Sequence, residues 1–96
     1  MLENIQIVEP PGACRVRLLR EHGFSVPTRV RKSLGLKPLD RVLLFINLGT
    51  RVHYVYVHMS VHRRIHIPMD TWHGLGLTAG QELDVRISLP EATGKA

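Results

Sequence analysis

The groups in this sequence best suited to chemistry are its guanidinium side chains, and they are unevenly spread. Residues 14–48 carry Arg15, Arg17, Arg20, Arg29, Arg31, Lys32, Lys37 and Arg41 against Glu21 and Asp40, eight cations to two anions and a net charge of +6. Residues 55–89 carry Arg63, Arg64 and Arg86 against Asp70, Glu82 and Asp84, three to three and a net charge of 0. A guanidinium is a planar fork of donors that matches phosphate oxygens and the acceptor edge of guanine. Such charge, concentrated in one half of a chain whose formal total is +5, points to a polyanionic partner such as DNA. The residues expected to make that contact are Arg15, Arg17, Arg20, Arg29, Arg31, Lys32, Arg63 and Arg64. The competing reading is a solvated basic face that keeps the domain in solution.

Six histidines, His22, His53, His58, His62, His66 and His73, raise the question of a metal. His58, His62 and His66 are evenly spaced, but they straddle a predicted hairpin, and no cysteine or carboxylate joins them to make the roughly four converging ligands a site requires. No metal and no cofactor is expected. Surface or half-buried imidazoles, gaining charge below about pH 6.5, are the simpler reading. No Ser-His-Asp set, paired carboxylates or glycine-rich phosphate loop is evident, so the sequence does not read as an enzyme. The single cysteine, Cys14, excludes an intrachain disulfide and fits a reducing compartment. Its basic neighbours would favour a thiolate, but its place in the apolar pattern points it inward. Trp72 falls on a predicted helix and is expected to pack.

A repeat must position these groups. Displaced by 41 residues, the sequence aligns with itself without a gap, residues 14–48 onto 55–89. Val26-Pro27 meets Ile67-Pro68, Leu34-Gly35-Leu36 meets Leu75-Gly76-Leu77, and Val42, Leu44, Ile46 and Leu48 meet Leu83, Val85, Ile87 and Leu89. Val16 and Leu18 alternate with Arg15 and Arg17 at the period of a half-buried strand. Gly23 separates that strand from a short second one, residues 24–26, which Pro27 stops. A helix over about residues 28–34 follows, with Val30 and Leu34 on one face and Gly35 at the left-handed cap. The turn at residues 37–40 leads into a long strand, residues 41–48. Its core, Val42 to Ile46, is apolar on both faces, so the outer face is expected to meet a helix or a partner. The link Asn47-Leu48-Gly49-Thr50 is too short to separate domains. One domain over residues 1–96 is expected, its two repeats preceded by a segment 1–13 with an edge strand at Ile5 to Val8 and followed by a frayed tail at 90–96.

The run Val26-Pro27-Thr28-Arg29-Val30-Arg31-Lys32-Ser33-Leu34-Gly35-Leu36-Lys37-Pro38-Leu39-Asp40 resembles the AbrB/SpoVT/MazE family. That family's pattern is a strand ending in Ile/Val-Pro, a short basic helix, Leu-Gly-Leu/Ile, a Lys-Pro-Gly-Asp-like turn and an apolar strand. Leu39 departs, standing where the family usually has glycine. In copy two Gly80 is present but Gln81 replaces the aspartate, which puts the usual Asp-to-backbone bonding there in doubt. The resemblance makes the helix residues Arg31 and Lys32, and Arg64 before the second apolar strand, the matching basic positions; copy one has Gly23 in place of Arg64. It implies either a swapped-hairpin dimer that binds DNA, as in AbrB, or the related six-stranded double-psi β-barrel built from two strand–strand–helix–strand units. Three strands per copy, with none after Leu89, favour the double-psi type, a mainly β fold with two short helices.

Two functions follow. One is an AbrB-like, DNA-binding transcriptional regulator, acting as a homodimer that pairs two basic halves. The other is a non-enzymatic interaction or adaptor barrel that uses the outer face at Leu43 and Phe45, with Trp72 as a further candidate contact. An antitoxin is disfavoured by the short stretch after Leu89. No apolar run approaches the roughly 20 residues that span a membrane, and the first residues do not read as a signal peptide, so a cytoplasmic protein is expected.

Overall fold

The computed structural model describes residues 11–90. The expected edge strand at Ile5 to Val8 and the tail beyond Pro90 lie outside the described residues. Copy one comprises β1 (Ala13–Arg17), β2 (Gly23–Ser25), α1 (Thr28–Leu34) and β3 (Arg41–Asn47); copy two comprises β4 (Val52–His58), β5 (Arg64–His66), α2 (Met69–Gly74) and β6 (Glu82–Ser88). β2 and β3 recur 41 residues later as β5 and β6, boundary for boundary. The prolines at 27 and 68 open the helices, and Gly35 and Gly76, at φ 64° and 66°, turn the chain out of them.

The strands form a four-stranded sheet in the order β1-β6-β3-β4 and a two-stranded ribbon of β2 and β5, all antiparallel. The registers obey an internal twofold relation. Ala13 faces Arg86 as Tyr54 faces Phe45, and Leu43 faces Ser88 as Asp84 faces Asn47. Phe24 faces Ile65, its own mate under the shift. Each copy's first strand therefore pairs with the other copy's third. The turns follow suit: Leu18 N–H donates to Gln81 O at 2.8 Å, and Met59 N–H to Asp40 O at 2.9 Å. Among the described residues these pairings do not close a six-stranded ring. The ribbon joins the sheet through the single bridges Leu19 to Gly23 and Met59 to Ile65. No helix among the described residues is long and apolar enough to cross a membrane.

One cluster of buried apolar side chains draws on both copies. Its members are nearly the same positions twice: Val16, Leu18, Phe24, Val26, Leu36, Val42, Leu44 and Ile46, then Val57, Met59, Ile65, Ile67, Leu77, Leu83, Val85 and Ile87. Only the helices differ. Val30 fills the core from α1, while α2 fills it with Trp72, which is in phase with Arg31. Cys14 is half-buried against this cluster.

The turns before β3 and β6 correct one expectation. Asp40 Oδ2 accepts the Lys37 N–H at 2.8 Å, and Gln81 Oε1 accepts the Thr78 N–H at 3.0 Å. The amide oxygen occupies the place of the carboxylate oxygen, so the motif's side-chain-to-backbone bond is kept in copy two. Glycine's absence at Leu39 does not change the turn either. Leu39 is held at φ 72° where Gly80 takes φ 90°.

Candidate nucleic-acid interface

Three of the eight expected cations are tied to carboxylates. β1 and β6 place Arg15 opposite Asp84 and Arg17 opposite Glu82 on the outer face of the sheet. Arg15 Nε lies 3.1 Å from Glu82 Oε1 and its Nη1 3.0 Å from Asp84 Oδ1, while Arg17 Nη2 lies 2.9 Å from Glu82 Oε2. The hydrogen bond from Arg15, reinforced by Arg17, holds the Glu82 carboxyl below its ordinary range, and the same contact with Glu82 raises Arg15. Two cations face two anions here, so this stripe carries no excess charge. Arg64 Nη1 reaches Glu21 Oε2 at 2.6 Å across the two copies.

The others are not so paired. Among the described residues no carboxylate bonds Arg20, Arg29, Arg31, Lys32 or Arg63. Arg29, Arg31 and Lys32 stand on α1, where the seven-residue helix turns Val30 into the core, leaves Arg29 and Lys32 exposed and half-buries Arg31. Arg29 Nη2 donates to the Ala13 carbonyl at 3.3 Å, and Arg31 Nη2 to Thr28 Oγ1 at 3.1 Å. Arg31 Nε is buried with no partner among the described residues. Arg63 sits at φ 63° in the β4–β5 turn, and its carbonyl accepts the Val26 N–H at 3.0 Å, which lays the turn against the strand leading into α1.

The twofold mate of Arg63 is His22, at φ 66°, whose carbonyl accepts the Ile67 N–H at 2.7 Å. The His22 ring lies 4.7 Å from Trp72, and 6.2 Å from His73. Arg63 thus stands to Arg31 as His22 stands to Trp72: one end of the molecule is basic where the other is aromatic. Arg20 lies in the turn with His22, whose ring packs on Trp72 of α2. The histidines do not build a metal centre with the other ligating residues: among the described residues no group of three or more His, Cys, Asp and Glu converges.

The outer face of β3 and β4 carries a second arrangement, of which the sequence pattern singled out only Leu43 and Phe45. Both are half-buried, while Val52, Tyr54 and Tyr56 beside them are exposed. The Arg86 guanidinium lies over the Phe45 ring at 4.2 Å and that of Arg41 over Tyr56 at 4.4 Å. Phe45 and Tyr54 are 6.3 Å apart between ring centroids. The alternation of Val52, Tyr54 and Tyr56 along β4 was the available signal; it also fits a strand whose other phase faces outward. A cleft of about 550 Å³ at the end of the sheet is bounded by Arg29, Phe45, Asn47, Asp84 and Arg86, and joins the basic helix to this face.

No protein-family model matches this chain, and no curated protein does. Its fold is similar to the solution structure of PHS018 from Pyrococcus horikoshii, with a TM-score of 0.70 over 88% of this chain and 100% of that one, at 16% sequence identity. At that identity the likeness is one of fold: a small, mainly β architecture with two short helices.

Proposed function

We propose that this chain is a cytoplasmic, DNA-binding regulator of the AbrB-like class, gripping the phosphate backbone through α1 and the turn that faces it. The observation that carries this reading is that Arg29, Arg31 and Lys32 on α1, and Arg63 in the turn bonded to the strand that leads into it, have no carboxylate partner among the described residues. Arg15, Arg17 and Arg64 take a supporting role, because recruiting them to DNA means giving up Glu82, Asp84 or Glu21. Phosphate contacts position a protein on a duplex, and base edges supply specificity; the guanidinium groups of Arg29, Arg31 and Arg63 have the donor geometry for both. A homodimer would present two such ends to one duplex. The two strand–strand–helix–strand units, with the family-like run from Val26 to Asp40, support kinship to the swapped-hairpin and double-psi barrels as the finer description of the fold.

Fluorescence anisotropy with mixed-sequence duplex DNA at two salt concentrations tests the reading. Four phosphate contacts would give a log–log salt slope of about −3.6, at roughly −0.9 per contact. Loss of affinity in Arg31→Ala/Lys32→Ala supports it; absence of binding at low salt, or unchanged binding in that variant, refutes it.

A further inference from the structure

We infer that the outer face of β3 and β4 is a stacking platform for single-stranded nucleic acid, distinct from the α1 cluster; the inference rests on the nucleic-acid reading and narrows it to a substrate class for a second surface. Cross-strand pairing sets the side chains in rungs. Arg86, Phe45 and Tyr54 form one rung, Ser88, Leu43 and Tyr56 the next, and Arg41 with His58 the last. Successive rungs on one face of a sheet are about 6.6 Å apart, two residues along the strand. Aromatic rings thus recur at a regular step, and guanidinium planes cap two of them.

The charge of the face selects its occupant. On the outer side of the sheet Arg15, Arg17, Arg41 and Arg86 stand against Glu82 and Asp84, four cations to two anions. Both anions are held by Arg15 and Arg17, so Arg41 and Arg86 stay uncompensated by any described carboxylate. A second copy laid face to face would set this excess against itself. A polyanion with flat apolar rings would satisfy both components, the phosphates meeting Arg86 and the bases stacking on Tyr54 and on the Arg41 guanidinium that lies over Tyr56. A duplex keeps its base faces stacked inside, whereas a single strand offers them.

The test is anisotropy of labelled oligothymidylate and oligouridylate of about twelve nucleotides, within the usual reach of a small binding face, alongside a duplex. Tyr54→Ala/Tyr56→Ala is expected to weaken single-strand binding about 10- to 100-fold, the size of one or two lost stacking contacts, and to leave duplex binding unchanged. Tyr54→Phe/Tyr56→Phe should keep the affinity, because the ring and not the hydroxyl stacks. Unchanged emission from buried Trp72 establishes that the variants are folded. Arg31→Ala/Lys32→Ala should instead lose the duplex and keep the oligonucleotide, so the two surfaces fail separately. Single-strand binding unmoved by the alanine pair overturns the platform, as does a wild-type protein that binds duplex alone. So does sedimentation as a dimer that the alanine pair dissociates, which would make the face a self-association surface. A protein that binds neither nucleic acid overturns this inference and the α1 reading together.

Discussion

Leu39 holds φ at 72° and is 67% exposed, so it has the cost of a left-handed backbone and little burial to set against it. An L-residue in that region sacrifices about 1–2 kcal/mol relative to the right-handed one. Glycine removes the clash but gains freedom in the unfolded chain, which returns part of the benefit. Leu39→Gly is therefore expected to stabilise the protein by about 0.5–1 kcal/mol, read as a higher urea midpoint at unchanged slope. Its mate supports the sign, since Gly80 takes φ 90° in the same turn. At this scale the sequence was legible in residue type and opaque in pairing. Arg15, Arg17 and Arg64 read as free cations because their carboxylate partners lie 43 to 69 residues away along the chain. Gly23 became intelligible only in three dimensions: a β-carbon there would collide with the Ile65 carbonyl oxygen across the ribbon, whereas Arg64, its mate, has room for a side chain.

The two helices show how one element can be duplicated in outline and altered in phase. Both follow proline and end near a left-handed glycine, and both were legible from the Val-Pro or Ile-Pro and Leu-Gly-Leu signals. Their inward faces differ by one position, Val30 in α1 and Trp72 in α2, a shift of about 100° around a helix. Chain periodicity could not reveal that shift, because a helix of six or seven residues holds too few turns to fix its own orientation. The consequence is an asymmetric pair of positions: Trp72 belongs to the core beside His22, whereas Arg31 in the same sequence phase is half-buried and donates from Nη2 to Thr28. Trp72→Ala should cost about 3–5 kcal/mol, as expected for emptying a buried indole site. Arg31→Ala should cost about 1 kcal/mol or less, in keeping with a substitution outside the core. Chemical denaturation of the two variants measures the difference directly. Equal losses would mean that Arg31 is a structural residue and a poor choice for contacting a ligand.

In the whole molecule the copies exchange strands, which the repeat alone did not reveal. Periodicity supplied the strands and their inward faces, but pairing depends on which edges meet after collapse, and the β1-β6-β3-β4 order arises from contacts between copies. β1 has its ladder with β6 and β4 its ladder with β3, while the β2–β5 ribbon spans the twofold with Phe24 opposite Ile65, both fully buried. Neither copy can bury its own first strand, so local stability in one cannot outlast the other. Unfolding should therefore be a single transition in which tryptophan emission, reporting α2, and far-ultraviolet dichroism, reporting the sheets, coincide. Phe24→Ala sharpens the test because it removes copy-one volume at the shared ribbon. The expected loss is about 3–5 kcal/mol, and it should move both signals together although Trp72 lies in copy two. Two separated transitions, or a Phe24→Ala variant that shifts the dichroism and spares the Trp72 signal, would mean that the halves fold independently. Coincidence would mean that α1 of copy one is held in place by the packing of copy two as well as by its own.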